Sequence, residues 1–249
     1  MKKINQLIYM LSAVLIAGFT GCSDRESEGL SRQTDYPEFT MLGDIEIIHQ
    51  LGTPFVDPGV TASEAGVALT VSNSPVGQHR GGKTLDENMS DWYNITYSAT
   101  NKDGFSGSVS RDVYVANNGD LTKSLEGIYT CNVKRNGTIS APYKNIQYIL
   151  IWKNTDGTYQ ISDGVGGYYH YGRGYGVGYA APGAKITVND MATNDFSYSA
   201  FNVGTFGGAV VDMHDMVVDP VAKKITWVAD WVPGATAYKF EVELTQVPF

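Results

Sequence analysis

In Tyr93-Asn94-Ile95-Thr96-Tyr97-Ser98-Ala99-Thr100-Asn101-Lys102-Asp103-Gly104, the apolar side chains at 93, 95, 97 and 99 alternate with Asn94, Thr96 and Ser98. A turn tetrapeptide follows. Alternation at period two puts one set of side chains on each face of an extended strand. Beyond the turn, Val109, Val113 and Val115 share one parity. On the N-terminal side, Ile45, Ile47 and His49 alternate with Glu46 and Ile48, while Asp57-Pro58-Gly59 and Ser72-Asn73-Ser74-Pro75 punctuate the chain. No long stretch holds helical periodicity. Short runs separated by Gly, Pro and Asn turns predict a small antiparallel β-sandwich over residues 36–116.

Asn117-Asn118-Gly119-Asp120 reads as a short linker, residues 117–120, and the second domain spans 121–249. It contains eight strand candidates, namely 127–134, 146–152, 158–162, 184–188, 196–201, 209–218, 224–231 and 238–247. Ile225, Trp227, Ala229 and Trp231 share a face; so do Tyr238, Phe240, Val242 and Leu244. Pro233-Gly234 marks the turn between them. This pattern predicts a lipocalin-like antiparallel β-barrel or closed sandwich, so the fold class is all-β throughout.

The chain opens with Lys2 and Lys3, an apolar run from Leu7 to Phe19, and Thr20-Gly21-Cys22. The run is short for a membrane span and ends in small residues, so residues 1–21 read as a removable signal segment. Removal takes away two lysines and no acid, moving the formal charge from −8 to −10. An acidic protein has no general attraction to phosphate backbones, which argues against a nucleic-acid partner. Residues 22–35 are polar and charged, too poor in apolar side chains to fold, and read as a tether. With Cys22 at the processing site only Cys131 remains. Neither an internal disulfide nor a thiolate metal centre is expected.

Five stretches carry resemblances to three known patterns. Phe19, Gly21 and Cys22 are similar to the processing site of bacterial lipoproteins, with Phe19 where that pattern has Leu; this implies lipidation of Cys22. The acidic run Ser23 to Glu28 resembles the signal that sends Bacteroidetes lipoproteins to the outer face of the outer membrane. Asp44-Ile45-Glu46-Ile47, the stretch from Leu51 through Asp57-Pro58-Gly59 to Ala62, and Tyr93 to Gly104 resemble the bacterial immunoglobulin-like repeat of surface proteins. Ile95 and Asn101 replace its usual Val and Asp, and the segment from Ser72 to Asp91, with Gln78-His79-Arg80-Gly81-Gly82-Lys83, is longer than usual. Such a module implies a spacer or docking role. The whole order resembles Bacteroidetes surface lipoproteins associated with glycan uptake loci. The resemblance implies a context; it transfers no ligand and no catalytic residue.

Gly164 to Tyr179, GVGGYYHYGRGYGVGY, holds seven glycines and five tyrosines in 16 residues and is expected to cross one mouth of the barrel as a long connection. Tyrosine offers an apolar face and a hydroxyl, which suits saccharide rings. Tyr168, Tyr169, Tyr171, Arg173, Tyr175 and Tyr179 are therefore candidate ligand contacts, with His170 and Asp163 beside them. The other reading makes half of them core: in a strand, Tyr169 and Tyr171 would point one way and Tyr168 with His170 the other. Trp227 and Trp231 are expected to pack in the core, as are Trp92 and Trp152. Alternation places Asp212, His214 and Met216 on one face, and no second histidine lies at ligand spacing, so no metal is expected. No nucleophile elbow, phosphate loop or dinucleotide fingerprint occurs, and Cys131 reads as a buried apolar residue. No catalytic residue and no cofactor is assigned. The expected function is a surface protein, lipid-anchored in the outer membrane and facing outward, that binds an extracellular glycan; the alternatives are an adhesion or scaffold protein engaging outer-membrane uptake proteins and, last, a glycan hydrolase.

Overall fold

A computed structural model describes residues 34–249. The signal segment, Cys22 and nearly all of the tether lie outside the described residues. The first half contains β1 (Glu38–Met41), β2 (Glu46–Gln50), β3 (Val60–Glu64), β4 (Val67–Leu69), β5 (Ser72–Gly77), β6 (Asp91–Thr100) and β7 (Ser106–Ala116). They form two sheets, β1-β3-β4 and β2-β7-β6-β5, the latter with β2 parallel to β7. The alternation in β6 holds along its length: Tyr93, Ile95, Tyr97 and Ala99 are buried, and the first three cluster with Val113 and Val115 of β7. Ile45 lies just before β2 and is exposed.

The Asp57-Pro58-Gly59 turn has a specific task here. Its carboxylate accepts hydrogen bonds from the Tyr97 hydroxyl at 2.7 Å, from the Gly59 N–H at 2.9 Å and from Nη1 of the fully buried Arg111. A buried guanidinium needs an opposite charge and further acceptors. Arg111 takes both, donating also to the carbonyls of Asp44 and Leu42. Burial, and after it the facing Asp57 carboxylate, raise the Tyr97 hydroxyl to about 12.

The second half contains β8 (Gly127–Arg135), β9 (Ile146–Lys153), β10 (Tyr159–Ile161), β11 (Lys185–Asp190), β12 (Asp195–Tyr198), β13 (Val211–Asp219), β14 (Lys224–Trp231) and β15 (Tyr238–Gln246). They make one antiparallel sheet in the order β12-β11-β10-β9-β8-β15-β14-β13, curled so that its edges meet. Closure is mostly the work of side chains. Phe201 and Val211 exchange backbone hydrogen bonds; then the Val218 N–H donates to Asn194 Oδ1 at 2.8 Å and the Met216 N–H to the Tyr198 hydroxyl at 3.3 Å. Edge amides that would template another strand are thus occupied. Leu121 and Leu125, ahead of β8, are fully buried in the barrel core.

One parity expectation fails at a bulge. Asp215 takes φ +54°, the register of β13 against β14 shifts between His214 and Val217, and Met216 turns into the core while Asp212 and His214 stay outside. An extra residue in one strand reverses the faces beyond it. His214 then reaches Asp215 at 2.9 Å and Asp230 at 3.1 Å. Cys131 is buried and free, its thiol pushed well up by burial.

The two halves share a third apolar cluster. Tyr114 and Ala116 of β7, with Ile48 and Trp92 beside them, pack on Tyr148, Leu150 and Trp152 of β9 and on Ile128. The long Ser72 to Asp91 segment belongs to this contact. The His79 ring lies 6.0 Å from Trp92 and 6.5 Å from Trp152, and the Arg80 guanidinium sits 5.5 Å over Trp152. Backbone amides of both residues donate to the Asp91 carboxylate, at 2.9 and 3.0 Å, which fixes the loop. Trp92 and Trp152 are therefore interface residues rather than members of either half's own core.

Candidate binding cleft

The segment from Gly164 to Tyr179 does not simply bridge a mouth. Its first part enters the barrel. The Trp227 indole N–H donates to the Gly164 carbonyl at 2.8 Å, and a Cβ on Gly166 would lie 2.9 Å from Cys131 Sγ and 3.1 Å from both methyls of Val242. Tyr168 and Tyr169 are buried against Phe240, with ring centroids 5.3 and 6.0 Å away. Neither half of the segment is a strand. Tyr168–Gly172 forms one wide helical turn in which the Gly172 N–H reaches the Gly167 carbonyl at 3.1 Å and the Arg173 N–H reaches that of Tyr168 at 3.0 Å. Bonds over five residues are the π-type turn. It needs Gly167 at φ +74°, a conformation that glycine adopts freely.

This turn replaces the expected pairing of faces. Tyr168 stacks on Tyr143 at 4.3 Å, while His170 and Tyr171 leave on the other side, 5.6 and 6.3 Å from Trp92 of the first half. Burial lowers His170 to about 4 and pushes the Tyr171 hydroxyl up. Asp163 is also removed from the surface. Its Oδ1 accepts from the Val165 N–H at 3.0 Å, its Oδ2 has no hydrogen-bond partner among the described residues, and burial raises it to about 7 against the pull of backbone amides. His170 and Asp163 therefore cannot join a platform at the mouth, because both are enclosed by packing.

What does gather at the mouth is a cleft of about 420 Å³. Tyr169, Arg173 and Tyr175 line it from the Gly164–Tyr179 segment; Arg135 comes from the end of β8, Trp231 from the end of β14, Tyr238 from the start of β15 and Phe206 from the turn Gly204–Phe206. Strand ends that are distant in sequence meet here because the antiparallel order brings the β8–β9 and β14–β15 connections to one end. Trp231 is anchored by its indole N–H to the Ala209 carbonyl at 2.9 Å. Tyr175 and Phe206 are about half exposed, at 50% and 45%, and carry the accessible aromatic faces. Tyr179 supports both, its ring edge-on at 5.2 Å to Tyr175 and 5.0 Å to Phe206. Arg135 lies 4.8 Å over the Tyr168 ring and 5.1 Å over that of Tyr238, and Arg173 lies 5.8 Å over Tyr168.

Of the six tyrosine and arginine candidates, Tyr169, Arg173 and Tyr175 thus reach the cleft, Tyr179 backs it, Tyr168 lies beneath it and Tyr171 faces the first half. Phe206, Trp231, Tyr238 and Arg135 were not singled out as site residues by the sequence. For Trp231 and Tyr238 a signal exists: they flank the Pro233-Gly234 turn, so both stand at strand ends. Two larger hollows differ in chemistry. One of about 740 Å³ on the outer wall has lysines and acids of both signs around it, and its one aromatic, Trp227, is buried; another of about 760 Å³ beside β4 and β6 has no aromatic side chain.

Comparison with known proteins gives three findings. Residues 118–246 match a family of C-terminal domains, and residues 39–115 match the Ig-like domain of bacterial surface proteins. Among solved structures, that of the lipoprotein BT2262 from Bacteroides thetaiotaomicron is similar, with 29% identity and a TM-score of 0.63 over 85% of this chain and 100% of that one. No curated protein matches the chain.

Proposed function

Since the chain belongs to the C-terminal-domain family matched by residues 118–246, with a surface Ig-like match ahead of it, we propose that it is a cell-surface lipoprotein that binds an extracellular glycan. The observation that carries this reading is the cleft, where the faces of Tyr175 and Phe206 are open and Trp231, Tyr238 and Tyr169 complete an aromatic wall. Sugar rings present C–H faces that such walls desolvate, and the rim hydroxyls and guanidinium groups supply directional bonds. The anchor is assigned to Cys22 by the lipoprotein-like leader, and the similarity to a Bacteroides lipoprotein supports it. Outward display from the outer membrane, as an accessory of nutrient uptake, belongs to the same proposal. Binding alone is assigned; no step of chemistry is.

The mechanism is adsorption. Tyr175 and Phe206 take the sugar face, Trp231 is held rigid by its bond to Ala209, and the first half packs on β9 so that the mouth is carried as part of one body with the spacer. Affinity electrophoresis of the detergent-solubilised full chain through gels containing polysaccharides tests this. Retardation lost in Tyr175→Ala and Phe206→Ala, with unchanged melting temperature, is expected. Absence of retardation by every polymer in a broad panel, neutral and acidic, overturns the reading.

A further inference from the structure

The cleft carries a local charge opposite in sign to that of the whole chain. The chain has 26 acids against 18 lysines and arginines, yet the cleft lining contains Arg135 and Arg173 and no Asp or Glu. Elsewhere on the barrel three lysines stand beside acids: Lys224 with Glu243 at 3.1 Å, Lys185 with Asp156 at 3.6 Å, Lys134 with Glu241 at 3.9 Å. Among the described residues, no carboxylate lies within ion-pair distance of either cleft arginine. Their neighbours are tyrosine rings, Tyr168 and Tyr238 for Arg135 and Tyr168 for Arg173. Ring faces attract a guanidinium and hold its plane, but they leave its charge uncancelled. Two pre-oriented forks at one mouth, over the shared Tyr168 ring, are suited to an oxyanion.

We propose that the cleft selects saccharides bearing an anionic substituent, a carboxylate or a sulfate, with the sugar ring on Tyr175 and Phe206 and the anion between Arg135 and Arg173. This rests on the glycan reading above and narrows it. The rim is compatible with a polymer passing through. Gly207 is open, a Cβ there meeting nothing within 4 Å, and neighbouring Gly208 would meet only Pro233 at 3.9 Å. The partner of the anion is protein charge, so binding weakens with salt, whereas ring stacking does not.

The test compares matched polymers on the detergent-solubilised full chain: polygalacturonate, its fully methyl-esterified form, chondroitin sulfate and a neutral galactan. Retardation by polygalacturonate or chondroitin sulfate, at least about tenfold stronger than by the methyl ester, is expected from one or two charged hydrogen bonds. Retardation by polygalacturonate shows that a carboxylate suffices; retardation by chondroitin sulfate alone, which carries both groups, assigns the anion to its sulfate. Arg173→Gln should lose that preference and Arg173→Lys keep part of it, both with unchanged melting temperature, since the side chain is exposed. Equal retardation by the acid and its ester, unaltered in Arg173→Gln, overturns the anionic selectivity while leaving the glycan reading standing. No retardation by either acidic polymer overturns the anionic selectivity, and the glycan reading falls with it only where the broad panel above also fails to retard the chain.

Discussion

Gly164 to Tyr171 and Arg173 to Tyr179 are written in the same residues and do opposite things. In the first stretch every position up to His170 is buried, and the glycines are there because side chains of the barrel occupy the space a Cβ would take. In the second, Gly174 and Gly176 also have positive φ, +67° and +86°, but a Cβ on either would meet nothing within 4 Å. Those glycines answer a backbone requirement alone. The tyrosines follow suit: Tyr168 and Tyr169 fill core space, whereas Tyr175 is half exposed in the cleft. A composition rich in Gly and Tyr therefore specifies tight turns and large flat side chains, and the neighbourhood decides whether they form an interior or a surface.

The sharpest test of the buried stretch is electrostatic. Asp163, raised to about 7 in the folded chain from its ordinary 3.8, keeps a proton that the unfolded chain releases. The folded state then binds more protons between those values, so this group's contribution to stability is present below pH 3.8 and lost as pH rises to about 7. The linkage amounts to on the order of 4 kcal/mol. His79 and His170 work the other way: burial holds both at about 4, below the ordinary 6.5, so their contribution is present above 6.5 and lost as pH falls toward 4. Asp163→Asn isolates the aspartate. Urea unfolding at pH 5 and pH 8 should show the variant gaining several kcal/mol relative to the parent on going to pH 8; parallel behaviour would place the proton elsewhere.

Next in size is a pair of glycine substitutions. Gly166→Ala combines φ +68° with contacts to Cys131 and Val242 at or below 3.1 Å, and should destabilise by about 3 kcal/mol. Gly174→Ala meets only the backbone preference, about 1 kcal/mol. Equal losses in thermal or urea unfolding would erase the distinction between the two stretches. Smallest is Tyr175→Ala, expected within about 0.5 kcal/mol of the parent because an exposed ring has little packing to lose. A larger loss would make the outer stretch structural as well.

Much of the architecture was legible in the chain. Tyr93 to Ala99 gave its buried parity without ambiguity, since one face of β6 is apolar at four successive positions. The eight strands of the barrel, too, follow from alternation and turn residues. The candidate site was legible only as a segment. Tyr169, Arg173 and Tyr175 were within it, but Arg135, Phe206, Trp231 and Tyr238 entered through strand order, which is a long-range property. The interface between the halves left a trace that period-two reading passes over. Ile48, Trp92 and Tyr114 are large apolar residues on the face of their sheet opposite the core, and the second half covers them.

The sequence by itself determined the all-β class, the immunoglobulin-like signature around Asp57 and Tyr97, and the singularity of Gly164 to Tyr179. These depend on local rules: side-chain period, turn chemistry and the permissiveness of glycine. Only the tertiary structure decided which tyrosines are core, that the His79 loop belongs to an interface, and that an acidic protein gathers at an aromatic mouth two arginines with no ion-pair partner among the described residues. Burial and electrostatic environment are set by what the closing sheet brings opposite each residue, and no local period encodes that.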